Sequence, residues 1–314
     1  MGGIVTLTMN PAVDISTTVD KVEPTQKLRC GPVLRHAGGG GVNVARVLRR
    51  LGHDVVAIYP VGGASGQTLE RLAKRESIVS HTVPVASETR ESFTVVEEST
   101  SHEFRFVLPG PPLGDSESRA CLSALGAMPG KMDYVVFSGS LPTAVAEDFY
   151  ARAAAVAKRL GAKVVLDTSG PPLAVALSAG VHVVKPNLRE LGECVREPVA
   201  TEAEQIAACK ALIAAGAAEI VALTLGHRGA MLVTRDVVLT AEPVAVAVRS
   251  SVGAGDSFLG GLVARLSEGA SLEDAFRLAV AAGTAALLSP GTALAHRSDI
   301  GRIAPRVVIR RVQG

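Results

Sequence analysis

The chain of 314 residues has no tryptophan, three tyrosines and seven phenylalanines. Its core must therefore be built from Val, Leu, Ile and Ala, and platforms on which nucleic-acid bases could stack are scarce. An excess of one charge is also lacking: 32 Lys and Arg stand against 30 Asp and Glu, a formal balance of +2. So small an excess attracts neither nucleic acid nor an anionic lipid surface, and any anion must be bound by a local arrangement. No stretch of about 18 uncharged apolar residues occurs, and Met1-Gly-Gly-Ile-Val-Thr-Leu7 carries no basic segment ahead of an apolar run. Neither export nor a membrane span is expected. The four cysteines, Cys30, Cys121, Cys194 and Cys209, form no CxxC pair and no zinc or disulfide spacing. A reduced, cytoplasmic setting fits this usage. What is present, 47% apolar and 20% charged residues with 32 Gly and 17 Pro, belongs to a packed globular chain. Its length, slightly above the roughly 250–300 residues that one core supports, suggests a large domain with a smaller appendage.

Ile4–Met9 reads as a buried strand closed by the turn signal Asn10-Pro11. Two β-like stretches with polar alternation follow, at Ile15–Val19 and Gln26–Leu34. From Gly38 the pattern changes to a Gly-rich turn, a helix at Val42–Leu51, a strand at Val55–Tyr59, a second turn at Gly62–Gly66 and a helix at Gln67–Arg75. Strand and helix in alternation imply parallel βαβ units. Alternating sequence interrupts the rhythm again at Glu91–Glu97 and Glu103–Leu108, and with residues 11–35 it is expected to form a small four-stranded sheet inserted into the main domain. After Pro109-Gly-Pro-Pro112 the rhythm returns, with strands near Tyr134–Phe137, Lys163–Leu166, His182–Val184 and Ile220–Thr224. A hairpin is expected from Ala230–Thr234 and Val237–Thr240, then helices near Ala254–Ser267 and Leu272–Leu288. The basic tail, Pro305–Gly314, reads as a surface strand or a frayed end. The expected fold class is α/β: a doubly wound, mostly parallel sheet flanked by helices, with a small inserted β-sheet.

Two motifs carry chemistry. Ser250-Ser-Val-Gly-Ala-Gly-Asp-Ser257 precedes an apolar helical segment, and glycines there let successive N–H groups converge on an anion at a helix N-terminus. The N–H groups of Gly253, Ala254, Gly255 and Asp256 suit a phosphoryl group, and Asp256 is placed to accept the proton of an attacking hydroxyl. An ordinary acidic residue in a first helical turn, favoured by the dipole, would read the same. The dipole lowers a carboxylate's pKa, so Asp256 is expected to be a weak base at equilibrium, which a loose phosphoryl-transfer transition state tolerates. Earlier, Gly38-Gly-Gly-Gly-Val-Asn43 opens the first helix. Four glycines cost backbone entropy, which close approach of a ligand to Gly39 and Gly40 would explain, and the Asn43 amide suits a sugar hydroxyl. No Gly-Lys-Ser/Thr follows, and the glycine spacing and acidic partner of a dinucleotide fingerprint are missing.

Gly38–Asn43, Lys185-Pro-Asn-Leu-Arg-Glu190 and Gly253-Ala-Gly-Asp256 resemble, in order and spacing, the ribokinase/PfkB family of sugar kinases over essentially the whole chain. Thr8-Met-Asn-Pro-Ala-Val-Asp14, Lys27-Leu-Arg-Cys30, Arg90-Glu-Ser-Phe93, Phe104–Gly110 and Ser138-Gly-Ser-Leu-Pro142 look like its hexose-phosphate branch. The resemblance implies a kinase domain of residues 1–10, 36–87 and 109–314, and a discontinuous lid and dimerisation element of residues 11–35 and 88–108.

It further implies that Asp14, just beyond the first strand, accepts a sugar hydroxyl; a solvated turn Asp is the plainer alternative. Lys27, Arg90 and Arg105 lie in the inserted β segments, where three cations can converge on a phosphate that bidentate Arg geometry suits. Unrelated surface charges are the alternative for each, and Arg29 is expected on a solvated face. Ser138 and Ser140 flank a glycine after a buried strand, and a hydroxyl there, Ser138 first, is expected to meet the sugar phosphate unless the segment is a plain turn.

On the ATP side the resemblance singles out Lys185, Asn187, Thr224, Gly226, Gly229 and Gly283. Asn187 and Glu190 stand i, i+3 at a helix start and would hold Mg2+ through its water shell; a capping box is the competing arrangement. Lys185 would neutralise phosphate charge or simply snorkel at a strand end, and the small residues Ala281-Ala-Gly283 suit an adenine border or helix packing alike. A monovalent cation, K+, would be held by carbonyls in Val248–Val252 and Ala286–Ala293. The family's usual residues before Gly-Ala-Gly-Asp are replaced by Ser250-Ser251-Val252, which keeps a hydroxyl. The implied reaction is MgATP plus fructose 6-phosphate giving fructose 1,6-bisphosphate, with fructose 1-phosphate or tagatose 6-phosphate as alternative acceptors. A non-catalytic sugar-phosphate sensor is the remote alternative. The partners expected are these small molecules and a second copy meeting lid to lid, with no nucleic acid and no membrane.

Overall fold

A computed structural model describes residues 3–312; Met1, Gly2, Gln313 and Gly314, the last two belonging to the basic tail, lie outside the described residues. The chain opens with β1 (Gly3–Leu7), β2 (Ala12–Val19) and β3 (Leu34–Gly38), then α1 (Gly40–Leu51), β4 (Val55–Val61), α2 (Gly63–Arg75) and β5 (Val79–Pro84). β6 (Arg90–Glu97) and β7 (Glu103–Val107) form the second interruption. The alternation resumes with α3 (Asp115–Gly126), β8 (Met132–Ser138), α4 (Phe149–Arg159), β9 (Lys163–Asp167), α5 (Pro171–Ser178), β10 (Val181–Val184), α6 (Leu188–Val195), α7 (Glu202–Ala214) and β11 (Ala218–Thr224). β12 (Ala230–Val233), β13 (Val238–Ala241), α8 (Ala254–Ser267), α9 (Leu272–Ala286), α10 (Arg297–Ile303) and β14 (Ile309–Arg311) complete it.

Ten strands form one sheet in the order β14-β13-β12-β11-β10-β9-β8-β1-β4-β5. The seven from β11 to β5 are parallel, and the hairpin and tail strand add antiparallel at one edge. The parallel strands are runs of Val, Ile and Leu because both of their faces are covered. One face packs α1, α2, α8, α9 and α10 around Val44, Leu48, Leu259, Leu262 and Phe276. The other packs α3 to α7 around Phe137, Tyr150, Leu166, Leu173 and Leu191. The sheet is therefore doubly wound, as expected. The strand order reverses at β1, which lies between β4 and β8, and ligands of open α/β sheets bind beyond the strand C-termini at such a switch.

β2, β3, β6 and β7 form the separate small sheet in the order β3-β2-β6-β7. The expected strand at Gln26–Leu34 is not formed: Pro32 removes a donor within it, Thr25 just before it adopts φ 63, and pairing with β2 begins at Leu34. The small sheet's strand thus runs to Gly38, past the expected boundary at residue 35. In the tail, Ile309–Arg311 takes the strand alternative, pairing with β13. Among the described residues no helix is long and apolar enough to cross a membrane.

Candidate active site

A cavity of about 280 Å³ opens between the small four-stranded sheet and the C-terminal ends of the parallel strands. α8 points its N-terminus into it: Gly253 (φ 73), Val252 and Asp256 line the wall. Gly253 takes the left-handed conformation, and a Cβ there would fall 2.1 Å from Leu294 Cδ2, so no other residue starts this helix without strain. Asp256, the third residue of α8, accepts from Asn43 Nδ2 at 2.9 Å. Burial and the nearby Asp167 carboxylate push the Asp256 carboxyl up to about 6, against the opposing pull of the Asn43 hydrogen bond and the Lys185 charge. The pKa lowering expected from the helix dipole is thus reversed, because desolvation of the carboxylate outweighs it.

The small sheet supplies the opposite wall. In the register of the small sheet Asp14 lies beside Ser92, Arg90 beside Ala12, and Arg105 opposite Thr94. Side chains alternate along a strand, so Asp14, Arg90 and Arg105 share one face, and all three line the cavity. Asp14 is pushed up to about 6 by burial, although Arg46, Arg90 and Arg105 pull it down. Arg90 donates to Asn10 O at 3.1 Å and Ser92 Oγ at 3.3 Å, while the Arg105 side chain forms no hydrogen bond or salt bridge among the described residues and acts on Asp14 through its charge. Lys27 does not join them; it is exposed in the irregular segment between β2 and β3 and does not line the cavity. Arg29 in the same segment is exposed, as expected.

The glycine run is explained partly by the protein itself. A Cβ at Gly38 would fall 2.2 Å from Asp14 Oδ2, and one at Gly40 would fall 2.3 Å from Ser138 Oγ. Side chains of the site, and not a ligand alone, make the close approach, although Gly39 and Gly40 do line the cavity. Ser138 is buried, with its Oγ 3.4 Å from Asp167 Oδ2, while Ser140 accepts from Asn10 Nδ2 at 3.1 Å.

Lys185, Asn187, Thr224, Gly226, Gly229 and Gly283 lie outside the cavity lining. Lys185 Nζ pairs with Asp167 Oδ1 at 3.0 Å beside Gly255. Burial would lower its pKa, but Asp167, Asp256 and Glu190 hold it above the usual lysine range. Asn187 and Glu190 do form a capping box, each side chain accepting the other's N–H at 2.9 Å. Glu190 Oε1 is left outside that box, meets Arg189 only at 3.8 Å, and belongs to a side chain on the cavity wall. No group of three or more His, Cys, Asp or Glu suited to a metal occurs among the described residues. One free carboxylate oxygen without a full ligand set fits Mg2+ held mainly by water and nucleotide phosphates. Thr224 sits next to Asn187 through an isolated bridge, and the turn after it is made by Gly226 (φ 61) and Gly229 (φ 96). Gly283 packs against α8, where a Cβ would come 3.2 Å from Phe258 Cβ, so helix packing accounts for it.

Three contributors were not singled out from the sequence. Asp167 ends β9 and pairs with Lys185; an acid at the C-terminal end of a parallel strand was its signal. Arg46 is fully buried on α1, three residues after Asn43 and on the same face. Glu103 of β7 accepts from Ser250 Oγ at 2.5 Å, and the same Oγ accepts from Val252 N at 3.1 Å. The small sheet is thereby tied to the loop that leads into α8.

The sequence model of the pfkB family carbohydrate kinases matches residues 5–298. The chain is 45% identical over 299 residues to the ATP-dependent 6-phosphofructokinase isozyme 2 of Mycobacterium tuberculosis (strain ATCC 25618 / H37Rv), covering 95% of this chain and 88% of that protein. It is 38% identical over 282 residues to the 1-phosphofructokinase of Xanthomonas campestris pv. campestris, covering 88% of each. The crystal structure of phosphofructokinase-2 from Escherichia coli in complex with substrates and products superposes with a TM-score of 0.93 at 35% identity, over 96% of this chain and 98% of that one. The same Escherichia coli protein in complex with potassium also gives 0.93, over 98% of this chain and 99% of that one.

Proposed function

The chain belongs to the PfkB family of carbohydrate kinases, and from that premise we propose that it transfers the γ-phosphoryl group of ATP to the 1-hydroxyl of fructose 6-phosphate. The single observation that carries this reading is the pairing of a buried carboxylate, Asp256, at the α8 N-terminus with two lid arginines across one cavity. Arg90 and Arg105 bind the 6-phosphate, which an unphosphorylated sugar would not need, and Asp14 accepts a sugar hydroxyl. Asn43, Gly39, Gly40 and Ser138 complete the sugar wall.

The acceptor hydroxyl gives its proton to Asp256 as its oxygen bonds to the γ-phosphorus, and the bond to the β-phosphate oxygen breaks to release ADP. With its pKa near 6, Asp256 is ionised at neutral pH and more basic than a solvated aspartate, so proton transfer is better matched to the developing charge. The N–H groups from Gly253 to Asp256 face the charge on the transferred group. Lys185, Thr224, Gly226 and Gly229 serve the nucleotide phosphates, and Asn187 with Glu190 would hold Mg2+ through water. When bound, Mg2+ neutralises charge between the β- and γ-phosphates. Backbone carbonyls in residues 248–252 and 286–293 are assigned to K+. The lid of β2, β3, β6 and β7 closes over the sugar and excludes water. Its exposed Phe93 and Phe106, paired on the face opposite Asp14 and Arg105, are assigned to a homodimer formed lid to lid, which a monomeric mass in sedimentation at micromolar concentration would overturn.

The test is ADP release from MgATP with fructose 6-phosphate, fructose 1-phosphate, tagatose 6-phosphate and fructose. The highest kcat/KM with fructose 6-phosphate is expected. A different phosphosugar in first place would keep the site and change the acceptor, and no turnover with any of the four would favour a sensor.

A further inference from the structure

Asn43 is held at both ends of its amide. Its Nδ2 donates to Asp256 Oδ2 at 2.9 Å, and its Oδ1 accepts from Arg46 Nη1 at 3.2 Å. A guanidinium has donors only and a carboxylate acceptors only. A flipped amide would set NH2 against guanidinium and oxygen against carboxylate, two repulsive contacts. Arg46 therefore dictates that Asn43 faces the carboxylate with its NH2, which occupies Oδ2 and leaves Oδ1 for the acceptor hydroxyl.

Arg46 is itself fixed from several sides. Nη1 also meets the carbonyls of Ala37, on β3, and of Thr292, both at 3.0 Å, so its two N–H groups are shared among three acceptors, and Nε meets Glu76 Oε1 at 2.6 Å. Glu76, at the end of α2, is shared with Arg50, whose Nη1 donates to Ala293 O at 2.6 Å and Ala295 O at 3.1 Å. A buried ion pair is weak evidence for stability, since apolar residues of similar volume often serve as well. What an apolar side chain would not do is orient an amide.

We propose that Arg46, itself set by Glu76, is a positioning residue for phosphoryl transfer: it locks the Asn43 amide so that Asp256 keeps one free oxygen aimed at the acceptor. This rests on Asp256 being the base. The charged and titratable groups facing Arg46 are Glu76, Arg50, Asp14 and His36; those facing Asp256 are Asp167, Lys185 and Asp14.

The experiment measures kcat, both KM values and the pH profile with MgATP and fructose 6-phosphate, or with the best of the other acceptors. The variants are Arg46→Lys, Asn43→Ala, their double and Glu76→Gln, with Asp256→Asn as reference. Arg46→Lys keeps the charge but loses the fork, and kcat is expected to fall about 10- to 100-fold with both KM values within threefold, as for a misplaced reacting group. The acid limb of kcat is expected to move to higher pH, because the hydrogen bond that lowers the Asp256 pKa is weakened. The double variant is expected within threefold of Asn43→Ala, since Arg46 acts through Asn43. A normal kcat in Arg46→Lys, losses that multiply in the double, or a loss confined to KM would overturn the proposal. Should Arg46→Lys fail to fold, Glu76→Gln decides: reduced kcat with a shifted limb supports it, and lowered thermal stability with unchanged kcat and limb overturns it. Failure of the underlying assignment is seen separately, as turnover that survives in Asp256→Asn.

Discussion

Replacing Asp256 by Asn is expected to make the protein more stable as it abolishes turnover. In the folded state the Asp256 carboxyl is pushed from 3.8 up to about 6. At about 1.4 kcal/mol per pH unit, the ionised carboxylate then costs the fold about 3 kcal/mol at neutral pH. The sign follows from proton binding. Because the folded pKa exceeds the unfolded one, the native state binds the proton more tightly, and this cost is absent below about pH 4, grows through about pH 6 and is complete above about pH 7. Asparagine carries no charge at any of these pH values and can still accept from Asn43 through its Oδ1. Lys185 loses one favourable neighbour but keeps Asp167 at 3.0 Å, so the net gain at pH 8 is expected at about 1–3 kcal/mol. For a chain of this length that is roughly 2–6 °C in Tm. About half of the gain is expected to be gone at pH 5. Asp14, also raised to about 6, titrates in both proteins and enters the difference only through its repulsion with Asp256. The assay is calorimetry of both ligand-free proteins at pH 5 and pH 8, beside a kcat measurement in which the variant loses at least about three powers of ten. A Tm difference of zero or of opposite sign at pH 8, or one that does not shrink at pH 5, would refute the claim that the charged base is stored at the fold's expense.

Three further outcomes follow from the geometry. Gly253→Ala puts a Cβ 2.1 Å from Leu294 Cδ2 on a residue with φ 73; a stability loss of about 2 kcal/mol or more and at least a hundredfold fall in kcat are expected by thermal melts and steady-state kinetics. Arg105→Ala removes a cavity cation whose side chain forms no hydrogen bond or salt bridge among the described residues, so KM for the phosphosugar should rise about 10- to 100-fold while KM for ATP stays within twofold; equal rises in both would contradict it. Ser250→Ala cuts the tie to Glu103, and since a hydrogen bond to a charged group is worth about 1.5 kcal/mol or more, ATP hydrolysis without sugar should rise about tenfold when followed by ADP release.

Much of the fold could be read from the chain because its signals are local. Continuous apolar runs such as Val164-Val165-Leu166 on β9 and the alternation of β6 and β7 are both dictated by which faces are covered, and both elements formed where expected. The segment at Gln26–Leu34 alternates as a strand does, but Pro32 denies it a ladder donor. In the site, glycines and acids next to helix starts announced themselves, as at Gly253–Asp256. Arg46 did not, since an arginine within a helix ordinarily reads as solvated, and only the packing of α1 against α8 and β3 reveals it as buried. Lys27 lies on the exposed segment between β2 and β3, outside the cavity wall of its own chain.

The two walls of the cavity come from different stretches of chain. Asp167 and Asp256 stand on the large sheet and on α8, whereas Arg90 and Arg105 come from two short strands of the small sheet within residues 90–107. The two arginines assigned to the sugar phosphate thus sit on one short segment, apart from Asp256. Substitutions at the Arg90 and Arg105 positions that leave Glu103 and its bond to Ser250 in place are expected to retune which phosphosugar is accepted while the loop into α8 stays put. Exchanging residues 90–107 between two such kinases would be the corresponding engineering route, with the acceptor travelling with the strands and the nucleotide chemistry remaining with the scaffold.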